Sequence, residues 1–287
     1  MQIDKFHEIV TRYKAVFFDA YGVLKNHKGI LPGIGRTFDF LKSHGIEYYI
    51  VTNDASRSPQ SLAYAYQIQG LEHIDTSKII SSGMLAHDWL RLKIKSGKVA
   101  YIGTWRSAHY IEILGLETVP ISKLDLDDIE DIRCLVFLDD EGFDWNKDIN
   151  KAINLLREKN IPVVVANTDQ SYPLNRTDIA VAVGGISDLV ERTLGKYFIR
   201  FGKPDTQMFM YGYDRACKNQ PSLHVNEILM VGDTLFTDII GGNKFGMDTA
   251  LVLTGNTLPE NAEIRIRYTG IIPTYVCESA VIDTSET

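Results

Sequence analysis

Four side chains that follow short apolar runs, and a fifth just downstream, offer chemistry in this sequence. Ala15-Val16-Phe17-Phe18 ends at Asp19, and Glu47 to Val51 ends at Thr52-Asn53-Asp54. Phe198 to Phe201 leads into Gly202-Lys203-Pro204, and Ile228-Leu229-Met230-Val231 into Gly232-Asp233, with Asp238 five residues later. A carboxylate such as Asp19 can attack an electrophile such as phosphorus. The Thr52 hydroxyl and the N–H groups behind it can bind phosphate oxygens. Lys203 offers a fixed positive charge, and Asp233 with Asp238 can hold a divalent cation. An in-line nucleophile, charge neutralisation and a metal clamp are the parts that phosphoryl transfer needs. Carboxylates are hard oxygen ligands and suit Mg²⁺. Singly, each residue has a plainer reading: a turn former or helix cap for the acids and Thr52, a solvated loop charge for Lys203. All together at strand ends, in this order, they argue against coincidence.

The apolar runs read as short buried strands and the segments between them as amphipathic helices. A helix is expected through Ile34, Phe38 and Leu41, ended by Gly45. Another is expected from about Gln60 to Gln69, with Pro59 near its first turn. Lys78-Ile79-Ile80 is a third strand. This strand–loop–helix alternation predicts a doubly wound parallel α/β sheet. Ligands of such sheets bind outside the carboxyl ends of the strands, where Asp19 and Asp233 would stand. Between about 84 and 197 the pattern repeats with its own strands, Val99 to Ile102, Cys134 to Leu138, Pro162 to Ala166 and Ile179 to Val183, and a helix over Asn146 to Lys159. The expected organisation is a Rossmann-like core from 1–83 and 198–287 carrying an inserted α/β domain over 84–197.

Composition sets limits. At 287 residues, 45% of them hydrophobic, the chain can bury one large or two medium cores. A net charge of −7 argues against a nucleic-acid or membrane-surface partner. Three cysteines, Cys134, Cys217 and Cys277, have no C-x-x-C spacing, which favours a reducing compartment. No apolar run is long enough to span a bilayer and the N-terminus lacks signal-peptide order, so a cytoplasmic location is expected. The seven histidines form no zinc-binding spacing. Trp89, Trp105 and Trp145 are expected to pack in a core.

The order D-x-x-G-V-L, T-N, G-K-P and G-D-T-x-x-T-D resembles the haloacid dehalogenase superfamily. The insertion between the Thr52 and Lys203 motifs resembles the class IIA cap of its 4-nitrophenylphosphatase and sugar-phosphatase branch. Thr52-Asn53 with Ser56-Arg57, Ala166-Asn167-Thr168-Asp169 and Gly241-Gly242 are similar to that branch. The resemblance implies a Mg²⁺-dependent phosphatase acting on a small phosphomonoester. Asp19 would be the nucleophile, and Thr52 and Lys203 would hold the phosphoryl group. Asp19, the Tyr21 carbonyl and Asp233 would ligate Mg²⁺, with Asp238 in or beside that shell. Asn53, Asn167 and Asp169 would contact the substrate. Caps of this class often mediate dimers, so a homodimer is an expectation as well.

Tyr21 departs from the pattern, since phosphatase members usually carry there an Asp that serves as acid and then base. An unperturbed Asp titrates near ~4 and a Tyr near ~10. Tyr at this position also occurs in the dehalogenating members, where the same Asp attacks carbon without metal. Their layout resembles a different one, with the cap between the first and second motifs and an Arg soon after the nucleophile. A third reading is a weakly active or inactive protein that keeps the pocket and binds a phosphate ligand.

Overall fold

The computed structural model describes residues 2–175 and 178–283. The chain forms two compact units. One comprises Met1–Thr52, Pro59–Ile80 and Lys203–Thr287, and the other Asn53–Ser58 and Ser81–Gly202.

The first unit is built on a six-stranded sheet. Its order is Tyr275–Cys277, Asp248–Val252, Ile228–Gly232, Ala15–Phe18, Glu47–Thr52 and Ile79–Ser81. Ala15–Phe18 is buried along its whole length and pairs in parallel on both sides, Phe18 opposite Val231 and opposite Ile50. Successive side chains of a strand point to opposite faces, so both faces of this strand need cover. Phe18 meets Phe38 of the Ile34–Ser43 helix, ring centroids 5.7 Å apart. Phe17 meets Tyr49 edge-on at 5.8 Å and the Thr206–Asn219 helix at Gly212, where a Cβ would approach its ring to 2.8 Å. Full burial of such aromatic side chains contributes about 1.5–3 kcal/mol each. Helices on both faces make this the expected doubly wound sheet. The strand order reverses at Ala15–Phe18, and a crevice at the carboxyl ends is the topological consequence.

The second unit has its own five-stranded parallel sheet, ordered Ile199–Arg200, Val163–Val165, Ile132–Phe137, Lys98–Ile102 and Glu117–Pro120. The Lys147–Glu158 helix buries Ile149, Ala152, Leu155 and Leu156, an apolar stripe at helical spacing. Asp144 starts it, its carboxylate accepting from the N–H groups of Asn146 and Lys147.

Several expectations are corrected. Ile199–Arg200 pairs with Val164 and Val165, so this strand belongs to the second sheet, and the chain returns to the first unit at Lys203 instead of 198. Ile179–Val181 is no member of the parallel sheet; it pairs antiparallel with Ser171–Pro173 as a separate hairpin. Glu117–Pro120 is an edge strand that the sequence reading missed, because Pro120 interrupts the apolar signal. Trp105 and Trp145 are exposed instead of core residues. Cys134 and Cys277 are buried, and all three cysteines are free thiols. No helix among the described residues is long and apolar enough to cross a membrane.

Candidate active site

Asp19 leaves the sheet directly after Phe18. Its backbone N–H donates to the Val231 carbonyl at 2.8 Å, which ties it to the strand ending at Gly232, just before Asp233. Gly22 then turns the chain at φ 83°, a conformation that a Cβ would strain. A Cβ there would also lie 2.1 Å from Asp233 Oδ2. The turn is therefore shaped around the second acid.

Lys203 enters from the far end of the chain and is fully buried. Its Nζ donates to Asp19 Oδ1 at 2.5 Å and lies 2.7 Å from Asp238 Oδ1. Behind it, Gly241 lets the Ile240–Phe245 helix close on Phe209 and Pro204. A Cβ at Gly241 would meet the Phe209 ring at 2.4 Å. Gly241 thus serves packing beside Pro204, the residue after Lys203, while Gly242 lets the helix close on Thr249 and Met230 of the sheet. Asp233 is held at both oxygens, Oδ1 by the Thr234 hydroxyl at 2.9 Å and Oδ2 by the Asn256 N–H at 2.5 Å. Asp238 Oδ2 accepts from the Thr234 N–H at 3.1 Å.

Charge dominates this cluster. Burial pushes the Asp233 carboxyl well above the usual range, and the negative charges of Asp19 and Asp238 add to it. Burial likewise lifts Asp238 to about 7 although Lys203 opposes the shift. Burial alone would lower the Lys203 ammonium, but Asp19 and Asp238 outweigh it and hold it above its ordinary value. Ionising all three carboxylates against the one ammonium would leave a formal charge of −2 in a largely buried site, and the raised Asp233 and Asp238 carboxyls are the response to it. Uncompensated buried charge of this kind costs several kcal/mol.

A divalent cation fits that donor set. One oxygen from each of Asp19, Asp233 and Asp238 lies within 4.8 Å of the others. All three are hard carboxylate oxygens drawn from one buried cluster, the ligand type that Mg²⁺ takes, and Asp19, Asp233 and Asp238 are the side chains that would hold it.

The other predicted residues divide. Thr52 ends the strand next to Asp19, two residues past the register pair Phe18–Ile50, at the same edge of the sheet. Tyr21 lies in the turn, bridged to Lys25, and its phenol is raised above its usual value by burial and by the Asp233 charge. Asn53, Asn167 and Asp169 come together in the second unit. The Asn53 amide donates to Asp169 Oδ1 at 2.8 Å, and the Asp169 N–H to Asn167 Oδ1 at 2.9 Å. Gly202 closes against this group, where a Cβ would meet Asn53 Oδ1 at 2.7 Å. Two residues of the first-unit site escaped the sequence reading, Thr234 as a bridge between the acids and Asn256. The one signal for Asn256 is its place just after the Thr254-Gly255 strand end.

Residues 16–117 match the model of haloacid dehalogenase-like hydrolases and residues 200–280 that of HAD-hydrolase-like proteins. A solved structure described as a possible sugar phosphatase of the HAD superfamily from Cytophaga hutchinsonii is 55% identical to this chain. It covers 99% of both chains with a TM-score of 0.93. The chain belongs to the haloacid dehalogenase-like hydrolases. Within the family it is similar to chronophin of Bos taurus, 27% identical over 279 residues, 95% of this chain and 92% of that one. It shares its fold with glycerol phosphate phosphatase Rv1692 of Mycobacterium tuberculosis, solved in complex with magnesium. That likeness has a TM-score of 0.75 at 21% identity over 97% of this chain and 78% of the other.

Proposed function

We propose that this HAD hydrolase cleaves a small phosphomonoester through a phosphoryl-aspartate on Asp19. The observation that carries the reading is access. Of the three clustered acids, Asp233 and Asp238 are 0% exposed and Asp19 is 15% exposed. Asp19 is thus the carboxylate of the cluster that an incoming phosphorus atom can reach. In the first step its oxygen bonds to phosphorus and the ester P–O bond breaks. In the second, water attacks the phosphoryl-aspartate, releasing phosphate and regenerating Asp19. Lys203 and Thr52 hold the phosphoryl oxygens. Asp19, the Tyr21 carbonyl and Asp233 would ligate Mg²⁺, with Asp238 in or beside the shell. When bound, the cation neutralises charge on the phosphoryl group.

Tyr21 stands where related phosphatases carry their acid. Its raised pKa keeps the phenol protonated at neutral pH, so it can donate a proton to a leaving oxygen and is a poor base toward water. Aryl esters, with good leaving groups, are therefore expected to be cleaved faster than alkyl esters, which include most sugar phosphates. The second unit, Asn53–Ser58 and Ser81–Gly202, acts as a class IIA cap, with Asn53, Asn167 and Asp169 contacting the substrate. The 55% identity to a possible sugar phosphatase supports a sugar phosphate as the substrate class.

The test is phosphate release from 4-nitrophenyl phosphate and a panel of sugar phosphates, with Mg²⁺ and with a chelator. Mg²⁺-dependent release is expected. A protein that binds phosphate but releases none from any ester is a binding module instead, and halide release from 2-chloropropionate without metal identifies a dehalogenase.

A further inference from the structure

We infer that Asn256 is a positioning residue for the metal-binding carboxylate Asp233, acting through a two-bond relay that includes Thr234. This rests on the proposed Mg²⁺ site. The Asn256 side-chain amide donates to Thr234 Oγ1 at 2.8 Å, and the Thr234 hydroxyl donates in turn to Asp233 Oδ1 at 2.9 Å. The same residue's backbone N–H donates to the other oxygen, Oδ2, at 2.5 Å. Asn256 therefore addresses both oxygens of one carboxylate, one directly and one through a hydroxyl.

The relay has a consequence for direction. A hydroxyl has a single proton. By filling a lone pair of Thr234 Oγ1, the Asn256 amide commits that proton to Asp233, and hydrogen bonds in a chain polarise one another. The carboxylate so held has an oxygen within 4.8 Å of oxygens of Asp19 and Asp238, so the relay fixes the orientation of one member of the cluster. Thr234 also gives its N–H to Asp238, so the relay fixes the two buried acids relative to each other.

The rest of the loop holds the relay in place. Thr254 Oγ1 donates to the Gly22 carbonyl at 2.5 Å, and Arg265 Nη1 donates to the Asn256 carbonyl at 2.7 Å. A Cβ on Gly255 would lie 1.8 Å from Asp233 Oδ2 and 2.6 Å from Gly22 Cα. The Thr254–Asn256 segment thus joins the turn after Asp19 to the carboxylate of Asp233. Asn256 itself is exposed, so its side chain fills no core and its removal leaves no cavity.

Partners that orient metal ligands typically change metal affinity by about 10–100-fold when removed. The experiment measures Mg²⁺ binding by calorimetry and by the Mg²⁺-induced rise in melting temperature, alongside the Mg²⁺ dependence of phosphate release. Asn256→Ala, which keeps the backbone donor, is expected to weaken Mg²⁺ about tenfold, with the metal-free melting temperature little changed. Thr234→Val is expected to weaken it at least as much, and Thr234→Ser, which keeps the hydroxyl, to restore it. Wild-type Mg²⁺ affinity in both Asn256→Ala and Thr234→Val overturns the inference while leaving the metal site standing. Wild-type protein that shows no Mg²⁺ binding overturns both.

Discussion

Tyr21 stands two residues beyond Asp19, and in the proposed mechanism its chemistry limits how a leaving group is protonated. Burial and the nearby Asp233 charge both disfavour the phenolate. The side chain is therefore a weak acid and not a usable base at neutral pH, whereas a carboxyl group there can serve both steps. Tyr21→Asp is expected to raise kcat/KM for alkyl phosphates more than for aryl phosphates, because poor leaving groups gain most from a better acid. Steady-state kinetics on matched ester pairs checks this. Equal or lower rates for both classes mean that Tyr21 is not standing in the acid's place. Lys203 makes the complementary case. It lies in the first unit between Asp19 and Asp238 at 2.5 and 2.7 Å, so its charge is fixed on the cluster instead of being solvated.

At the scale of elements, the site depends on how closely three loops approach at one edge of the first sheet. Gly22 is the tightest point, with φ 83° and its missing Cβ facing Asp233 Oδ2 at 2.1 Å and Gly255 Cα at 2.9 Å. Gly22→Ala must both strain the turn and displace Asp233. A loss of about 2–4 kcal/mol is expected from a denaturant melt, together with loss of Mg²⁺-dependent turnover. The second sheet carries its own strained charge in the loop after Ile132–Phe137. Burial raises Asp139 to about 6, and the charges of Asp140, Asp54 and Glu141 add to the shift. A raised carboxyl costs the fold nothing below about pH 4, where it is neutral folded or unfolded. The cost grows as pH rises from 4 through 6 and is constant above. Asp139→Asn is therefore expected to be more stable than wild type by about 1–2 kcal/mol at pH 7.5, with the difference vanishing near pH 4. Melts at the two pH values measure it.

Across the whole chain, what was legible in the sequence follows from the range of the forces involved. Asp19, Thr52 and Asp233 could be read because an apolar run followed by a polar residue is a local signal, and the parallel sheet puts those ends at one edge. Lys203 could be placed by its motif, but its partners 184 residues back and 35 residues on had to be seen. The sequence places Phe198 to Phe201 in the core because a short apolar run carries no information about its partner; the register of Ile199–Arg200 with Val164 and Val165 decides it. Asn256 was invisible for a related reason. An exposed Asn after a Gly reads as an ordinary turn, and its role lies in contacts made 22 and 23 residues earlier. Asn53, Asn167 and Asp169 were read together from motifs, and the structure joins them by hydrogen bonds within the second unit.

Asp19 is the residue proposed to take the phosphoryl group, and every later step depends on it. The most direct measurement is turnover of 4-nitrophenyl phosphate by Asp19→Asn with Mg²⁺ present, with binding of inorganic phosphate and the melting temperature recorded on the same protein. We predict a fall in kcat of at least about 10³-fold, with phosphate binding and folding retained. Turnover at the wild-type rate in that variant would contradict the covalent mechanism.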